Sequence, residues 1–202
     1  MLDPRFAILG ALVGFIGTAT YAVATLRGRT KPNRVTWALW ALAPLIAFAA
    51  QLGEGVTYQA ALTFTAGFGP LLVLLASLRD RKAYWRISRF DYACGALSIV
   101  ALILWLITKT GDLAILLSIL ADGLAATPTI IKAYHHPETE KGTAFLGGVF
   151  GAAITLLTID VWTFANYGFA LYIFLVCCLI FTLVQFPHLF RKHVASSGIS
   201  DS

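Results

Sequence analysis

The sequence predicts an all-α integral membrane protein: seven transmembrane helices in a 3+1+3 pseudo-symmetric arrangement, two parallel three-helix bundles joined by a linker helix. Three observations carry that prediction. Hydrophobic residues make up 58% of the 202 and charged ones 12%, with a mean hydropathy of +0.79; soluble domains sit near ~45–50% apolar and ~25% charged. The apolar residues fall in seven long runs, and the basic residues gather in alternate loops between them. This excludes a soluble globular enzyme, a disordered chain and a disulfide-stapled module. Cys94, Cys177 and Cys178 all lie inside apolar runs, so no disulfide or zinc framework is implied.

A bilayer core ~30 Å thick requires ~20 apolar residues in a helix. Runs at 6–26, 35–52, 58–78, 92–107, 113–133, 143–159 and 167–190 meet that requirement, and their length argues for helices over lipid-facing strands, which would alternate with polar residues. The first bundle is expected at 1–78, a basic loop and linker helix at 79–110, the second bundle at 111–190 and a cytoplasmic tail at 191–202. The first run is too long, and lacks the basic start, of a cleaved signal peptide.

Its inward face is a stripe of Gly14, Thr18, Tyr21 and Thr25. Arg27, Arg29, Lys31 and Arg34 then separate it from the second run, which carries Trp37, Trp40 and Pro44; the third carries Pro70. Arg79, Arg81, Lys82, Arg86 and Arg89 fill the next loop. From Ala96 to Ile107 the fourth run has Ser98 as its one polar side chain, so it is expected to face lipid as the linker. The fifth run repeats the stripe as Ser118, Asp122, Ala125 and Thr129, offset by 104 positions from the first. Both stripes follow i, i+4, i+7, i+11 and therefore occupy one helical face. Gly147, Gly151 and Thr155 on the sixth run repeat the spacing of Gly10, Gly14 and Thr18, which marks packing faces, since close approach in lipid favours small residues.

Lys132, Lys141, Arg191 and Lys192 complete thirteen basic residues on one side, leaving Arg5 and Lys109 on the other. Basic loops are retained in the cytoplasm, so the N-terminus is expected outside and the C-terminus inside. Short loops suit a prokaryotic plasma membrane. Trp37, Tyr84, Trp85, Tyr92 and Tyr134 are expected as an inner aromatic belt, and Tyr58, Trp105, Trp162 and Tyr167 as an outer one. The positive net charge is thus a topology signal, with anionic headgroups expected along the 79–89 loop and no nucleic acid.

Seven outside-to-inside helices as 3+1+3, a proline-bearing fifth helix (ADGLAATPTIIKAY) and the polar loop that follows (HHPETEKGTAF) resemble the PQ-loop superfamily, which includes SWEET-like (MtN3) sugar facilitators and lysosomal amino-acid exporters. Pro128–Thr129 stand at the Pro–Gln position, and Val23–Ala24 at the corresponding place in the first helix. The resemblance implies transport, with Pro128 and Pro44 as the prolines at which helices bend. It also implies that a membrane carboxylate can couple a proton.

Asp122 is the sharpest candidate, because a charge at mid-helix costs ~2.5–3.5 kcal/mol on insertion scales and intramembrane ionisable groups are functional by default. Ser118, Thr129, Thr18 and Tyr21 are its expected partners, and Trp40 is a candidate for the inner gate. Asn33 and Asn166 are expected at the interfaces, and Asp160, Trp162 and Asn166 as caps at the outer end. His135 and His136, with Glu138 and Glu140, read as a solvated loop rather than a metal site. Asp122 and Asp160 differ in depth, which argues against a shared-proton aspartyl dyad. No lysine lies in the seventh helix to form a Schiff base. No enzyme, cofactor or metal is expected.

The expected function is therefore a transporter of a small polar solute by alternating access, with Asp122 as a candidate proton carrier. The alternative is a receptor, sensor or assembly factor on the same fold. Expected partners are the solute, a proton and the bilayer, with self-association into a homo-oligomer left open.

Overall fold

The computed structural model describes residues 2–53, 55–79, 85–108 and 111–189. Arg81, Lys82, Tyr84, Lys109, Arg191, Lys192 and the side chain of Trp105 lie outside the described residues. The chain is all-helical, with no strand among the described residues. The helices are α1 (Phe6–Leu26), α2 (Arg34–Gly53), α3 (Ala60–Arg79), α4 (Arg89–Thr108), α5 (Gly111–His135), α6 (Gly142–Leu157) and α7 (Phe164–Gln185). Five of these, α1, α2, α3, α5 and α7, contain stretches long and apolar enough to cross a membrane.

Helix ends follow local chemistry. Gly28 adopts φ +67° directly after α1, and the amides of Arg29 and Gly28 return to the carbonyls of Ala24 and Thr25. This Schellman closure satisfies carbonyls that the helix end would otherwise orphan. Gly55 (φ +77°) ends α2 in the same way, with Val56 N–H on Gln51 O and its own amide on Leu52 O. Asn33 caps the start of α2 by accepting from the amides of Val35 and Thr36. Ser88 and Asp91 form a reciprocal capping box at α4, each side chain accepting from the other's amide. α7 stops at Gln185, two residues before Pro187, which is disfavoured inside a helix. It therefore ends earlier than the run at 167–190 suggests.

α3 packs on both α1 and α2, and α7 packs on both α5 and α6. α1 also packs along α6, and α2 along α5, while α4 lies on α5 and more lightly on α2. The α1–α6 contact is backbone on backbone. A Cβ placed on Gly10 would stand 2.7 Å from Gly151 O, and one on Gly147 2.9 Å from Gly17 Cα. The expected small-residue faces are therefore packing faces, with Gly17 joining them. Thr18 departs from its set and packs beside Gly69 of α3 instead.

α4 buries Asp91, Cys94, Gly95 and Ser98 along one stripe and exposes Leu97, Ile99, Val100, Ile103 and Leu104. Ser98 Oγ donates to the α5 carbonyl of Ala121 at 2.8 Å. Its apolar face is open as expected, but its one interior polar residue is an inter-helix tie. Two expectations are corrected here. Trp37 is 2% exposed in the main core cluster and no belt residue, because the tilted ring of Tyr21 packs against it at 4.7 Å between centroids. Asn33 is fully buried rather than interfacial, since its Nδ2 donates to Asp91 Oδ1 at 2.7 Å. Trp162 is exposed at the far end beside Tyr167, and Asn166 donates to Val161 O nearby.

Candidate functional site

The two stripes turn inward, and between them lies a cavity of about 90 Å³. Among the described residues, every helix except α4 contributes to its wall. Thr18 comes from α1, Trp40 and Pro44 from α2, Thr65 and Pro70 from α3, Asp122 from α5, Phe145 from α6 and Cys177 from α7. The stripe spacing explains why Thr18 and Asp122 both reach it, and Pro44 and Pro70, each inside a continuous helix, add to its wall.

Asp122 is 2% exposed. Its Oδ2 accepts the Tyr172 hydroxyl at 2.7 Å, while Oδ1 has no hydrogen-bond partner. The indole N–H of Trp40 donates to the backbone carbonyl of Asp122 at 3.3 Å, which seats an aromatic ring beside the acid. Trp40 in turn meets Trp37 edge-on at 5.3 Å and Phe145 at 6.4 Å. The salt bridges among the described residues join Lys132 to Glu140 and His136 to Glu138, so neither supplies Asp122 with a counter-charge. A buried carboxylate without a counter-charge is expensive, and a proton or a cationic ligand relieves that cost.

The expected partners of Asp122 are elsewhere. Thr18 lines the cavity, but its hydroxyl donates to Gly14 O at 3.2 Å. Ser118 and Thr129 are buried along the same α5 face, their hydroxyls without a partner, and neither lines the cavity. Tyr21 points away from Asp122 towards the basic loops. Its hydroxyl donates to Glu140 Oε2 at 2.6 Å. Pro128, the other expected bend, is buried beside Trp85 and Lys132 near those loops, not at the cavity.

Tyr21 opens a second cluster that seals this end. Glu140 pairs with Lys132, and both side chains are essentially without solvent exposure. Lys132 Nζ also donates to the backbone carbonyl of Lys31 at 2.6 Å and stands 5.4 Å over the Trp85 ring. Lys31 N–H donates to Thr139 O at 3.1 Å, and Thr25 and Thr30 share a 2.8 Å hydrogen bond beneath them. The loops after α1 and after α5 are thereby bound to each other. The solvated reading of the α5–α6 loop holds for exposed His135, His136 and Glu138 and fails for Glu140. Tyr21 and Lys132 hold Glu140 inside.

Tyr172 and the Lys132–Glu140 pair escaped the sequence reading. Tyr172 sits in an apolar run with no periodic signal to distinguish it. Lys132 and Glu140 were discoverable as opposite charges bracketing Pro137, within reach of a buried tyrosine. No cluster of three or more metal-ligating side chains exists among the described residues. No family model matches this chain, and no curated protein or solved structure matches it.

Proposed function

We propose that the chain is a membrane transporter, moving a small polar solute by alternating access past Asp122. One observation carries the reading: a carboxylate with an unpartnered oxygen sits in the wall of a cavity to which six helices contribute. Aqueous or ligand-bearing cavities are where intramembrane ionisable groups are found.

Helix packing supports the reading. Exchanging α1, α2 and α3 for α5, α6 and α7 maps the six most extensive packings among these helices onto one another. Two parallel three-helix repeats related by an axis along the membrane normal would pack in this way, with α4 as the odd crossing that restores their common direction. The seven helices then form a 3+1+3 PQ-loop-like carrier. Its basic loops lie in the cytoplasm, its N-terminus lies outside, and exposed Arg79, Arg86 and Arg89 meet anionic headgroups. The Tyr21–Glu140–Lys132 cluster closes the cytoplasmic end, so the loops separate when that end opens.

The test is counterflow in liposomes across sugars, amino acids and organic cations, with and without a pH gradient. Solute-specific flux is expected in the wild type. In Asp122→Asn, either flux or its pH dependence is expected to vanish. Full activity with an unchanged pH profile in that variant would remove Asp122 from the mechanism.

A second reading, a receptor or assembly factor without transport, draws on the same cavity. Among the described residues its polar side-chain groups are the Asp122 carboxyl, the hydroxyls of Thr18 and Thr65, the Cys177 thiol and the indole N–H groups of Trp37 and Trp40, few for a hydroxyl-rich solute. Absence of flux for the whole panel, with a stable protein partner recovered, would favour it.

A further inference from the structure

We infer that the cavity takes a small alkylammonium ion, held by Asp122 at its charge and by the rings of Trp37, Trp40 and Phe145 at its methyl or methylene surface. The inference rests on the carrier reading and names the solute class that the walls would recognise. Charge comes first. Asp122 is the one carboxyl group in the lining, and no lysine, arginine or histidine among the described residues lines the cavity. An anion would be repelled, and a zwitterion would leave its own carboxylate without a counter-charge in a low-dielectric site.

Wall chemistry comes second. Thr18 and Thr65 donate their hydroxyl hydrogens to the backbone carbonyls of Gly14 and Leu62, so neither is free to donate to a solute. A sugar needs many such groups, and a site whose one unpartnered donor among the described lining residues is the Trp37 indole N–H leaves most of its hydroxyls unpaired. A bare metal ion is equally ill served, because hard cations collect six or more oxygen ligands and, among the described residues, three oxygen-bearing side chains line this cavity. What the wall does offer is aromatic surface beside a carboxylate, with Trp40 fastened to the backbone of Asp122 itself. Ring faces attract organic cations electrostatically, most strongly when water is excluded. Trp37 and Trp40 are nearly at right angles (80°), and Trp40 and Phe145 stand at 72°, so the three rings form a corner rather than a flat stack.

Size comes third. A volume of about 90 Å³ is several times the ~10–15 Å³ that a single water needs. That leaves room for a compact ion such as tetramethylammonium or a short primary alkylammonium.

The test measures equilibrium binding of radiolabelled tetramethylammonium and ethylammonium to the purified full-length protein. Glucose, alanine, acetate and sodium serve as competitors, and counterflow in liposomes is measured in parallel. Saturable alkylammonium binding is expected, at least tenfold tighter than that of any competitor. It should weaken at least tenfold in Asp122→Asn and in Trp40→Leu, and recover in Trp40→Phe, which keeps a ring. Tighter binding of glucose, alanine, acetate or sodium by the wild type overturns the inference without recourse to any variant. So does equal alkylammonium affinity in the wild type and a folded Asp122→Asn. The two readings fail separately. Alkylammonium binding without counterflow of any solute removes the carrier and keeps the ligand class, whereas counterflow of a neutral solute without alkylammonium binding does the reverse.

Discussion

Tyr21 and Glu140 lie 119 positions apart and are joined by a 2.6 Å hydrogen bond in the protein interior. The bond ties the last third of α1 to the segment entering α6. Because Glu140 is also paired with Lys132, a single buried carboxylate binds α1, the end of α5 and the loop that follows.

Removing one member of that pair leaves the other charge buried alone, which costs about 3–5 kcal/mol. Lys132→Met and Glu140→Gln are each expected to lower thermal stability in detergent sharply. The double variant Lys132→Met/Glu140→Gln should lose less than either single change, since no orphan charge remains. Tyr21→Phe removes one hydrogen bond to a charged acceptor and should cost about 1.5–3 kcal/mol. Unfolding midpoints for the four proteins check this, and additive losses in the double variant would disprove the coupling.

Asn33 caps α2 with its Oδ1 while its Nδ2 holds Asp91, whose other oxygen caps α4. Asn33→Ala therefore loses a cap, about 1 kcal/mol, together with a charge-assisted hydrogen bond of about 1.5–3 kcal/mol. Asn33→Ser retains capping ability and should recover only the smaller part. Denaturant titration of the three proteins separates the two contributions.

Alanine scanning of α1 should discriminate between neighbouring glycines. The Cβ of Gly10→Ala would meet Gly151 O at 2.7 Å, and backbone cannot swing aside as a side chain does. Overpacking of this kind costs about 1–3 kcal/mol. Gly14→Ala meets Gly147 O at 3.7 Å, an ordinary contact, and should change stability by less than about 0.5 kcal/mol. Equal losses at both positions would mean that α1 and α6 do not meet in this register.

Tyr172→Phe withdraws the side-chain donor from Asp122 Oδ2 while preserving the ring. A hydrogen bond to a charged group is worth about 1.5–3 kcal/mol, so solute affinity or flux should fall about 10- to 100-fold with the fold intact. Uptake in liposomes, paired with a melting curve, distinguishes this from simple destabilisation.

Much of the helical layout is legible in the chain because run length reports it directly. Asp122 stands out for the same reason, a charge where lipid would penalise it. The glycine spacing on α1 and α6 was also readable, since close approach in lipid demands small residues. Other features were hidden by the assumption that charges between helices face water. Lys132 and Glu140 neutralise each other inside, and neither residue alone announces that. Trp37 looked like an interfacial anchor because tryptophan favours that depth, yet ring contact with Tyr21 holds it in the core. Which oxygen of Asp122 would be satisfied depended on Tyr172, fifty positions away on another helix.

The glycine seam has a mechanical consequence. Where Gly10 meets Gly151 and Gly17 meets Gly147, main chains touch with no side chain between them to flex or change rotamer. Such a joint resists sliding and works best as a fulcrum, with α1 and α6 rolling on each other. The opposite seam, where Trp40 of α2 reaches across to α5, is made of side chains that can let go and re-form. If the proposed bundles rearrange, they should therefore swing widest along that side, like a door whose hinge is bare backbone and whose latch is an indole.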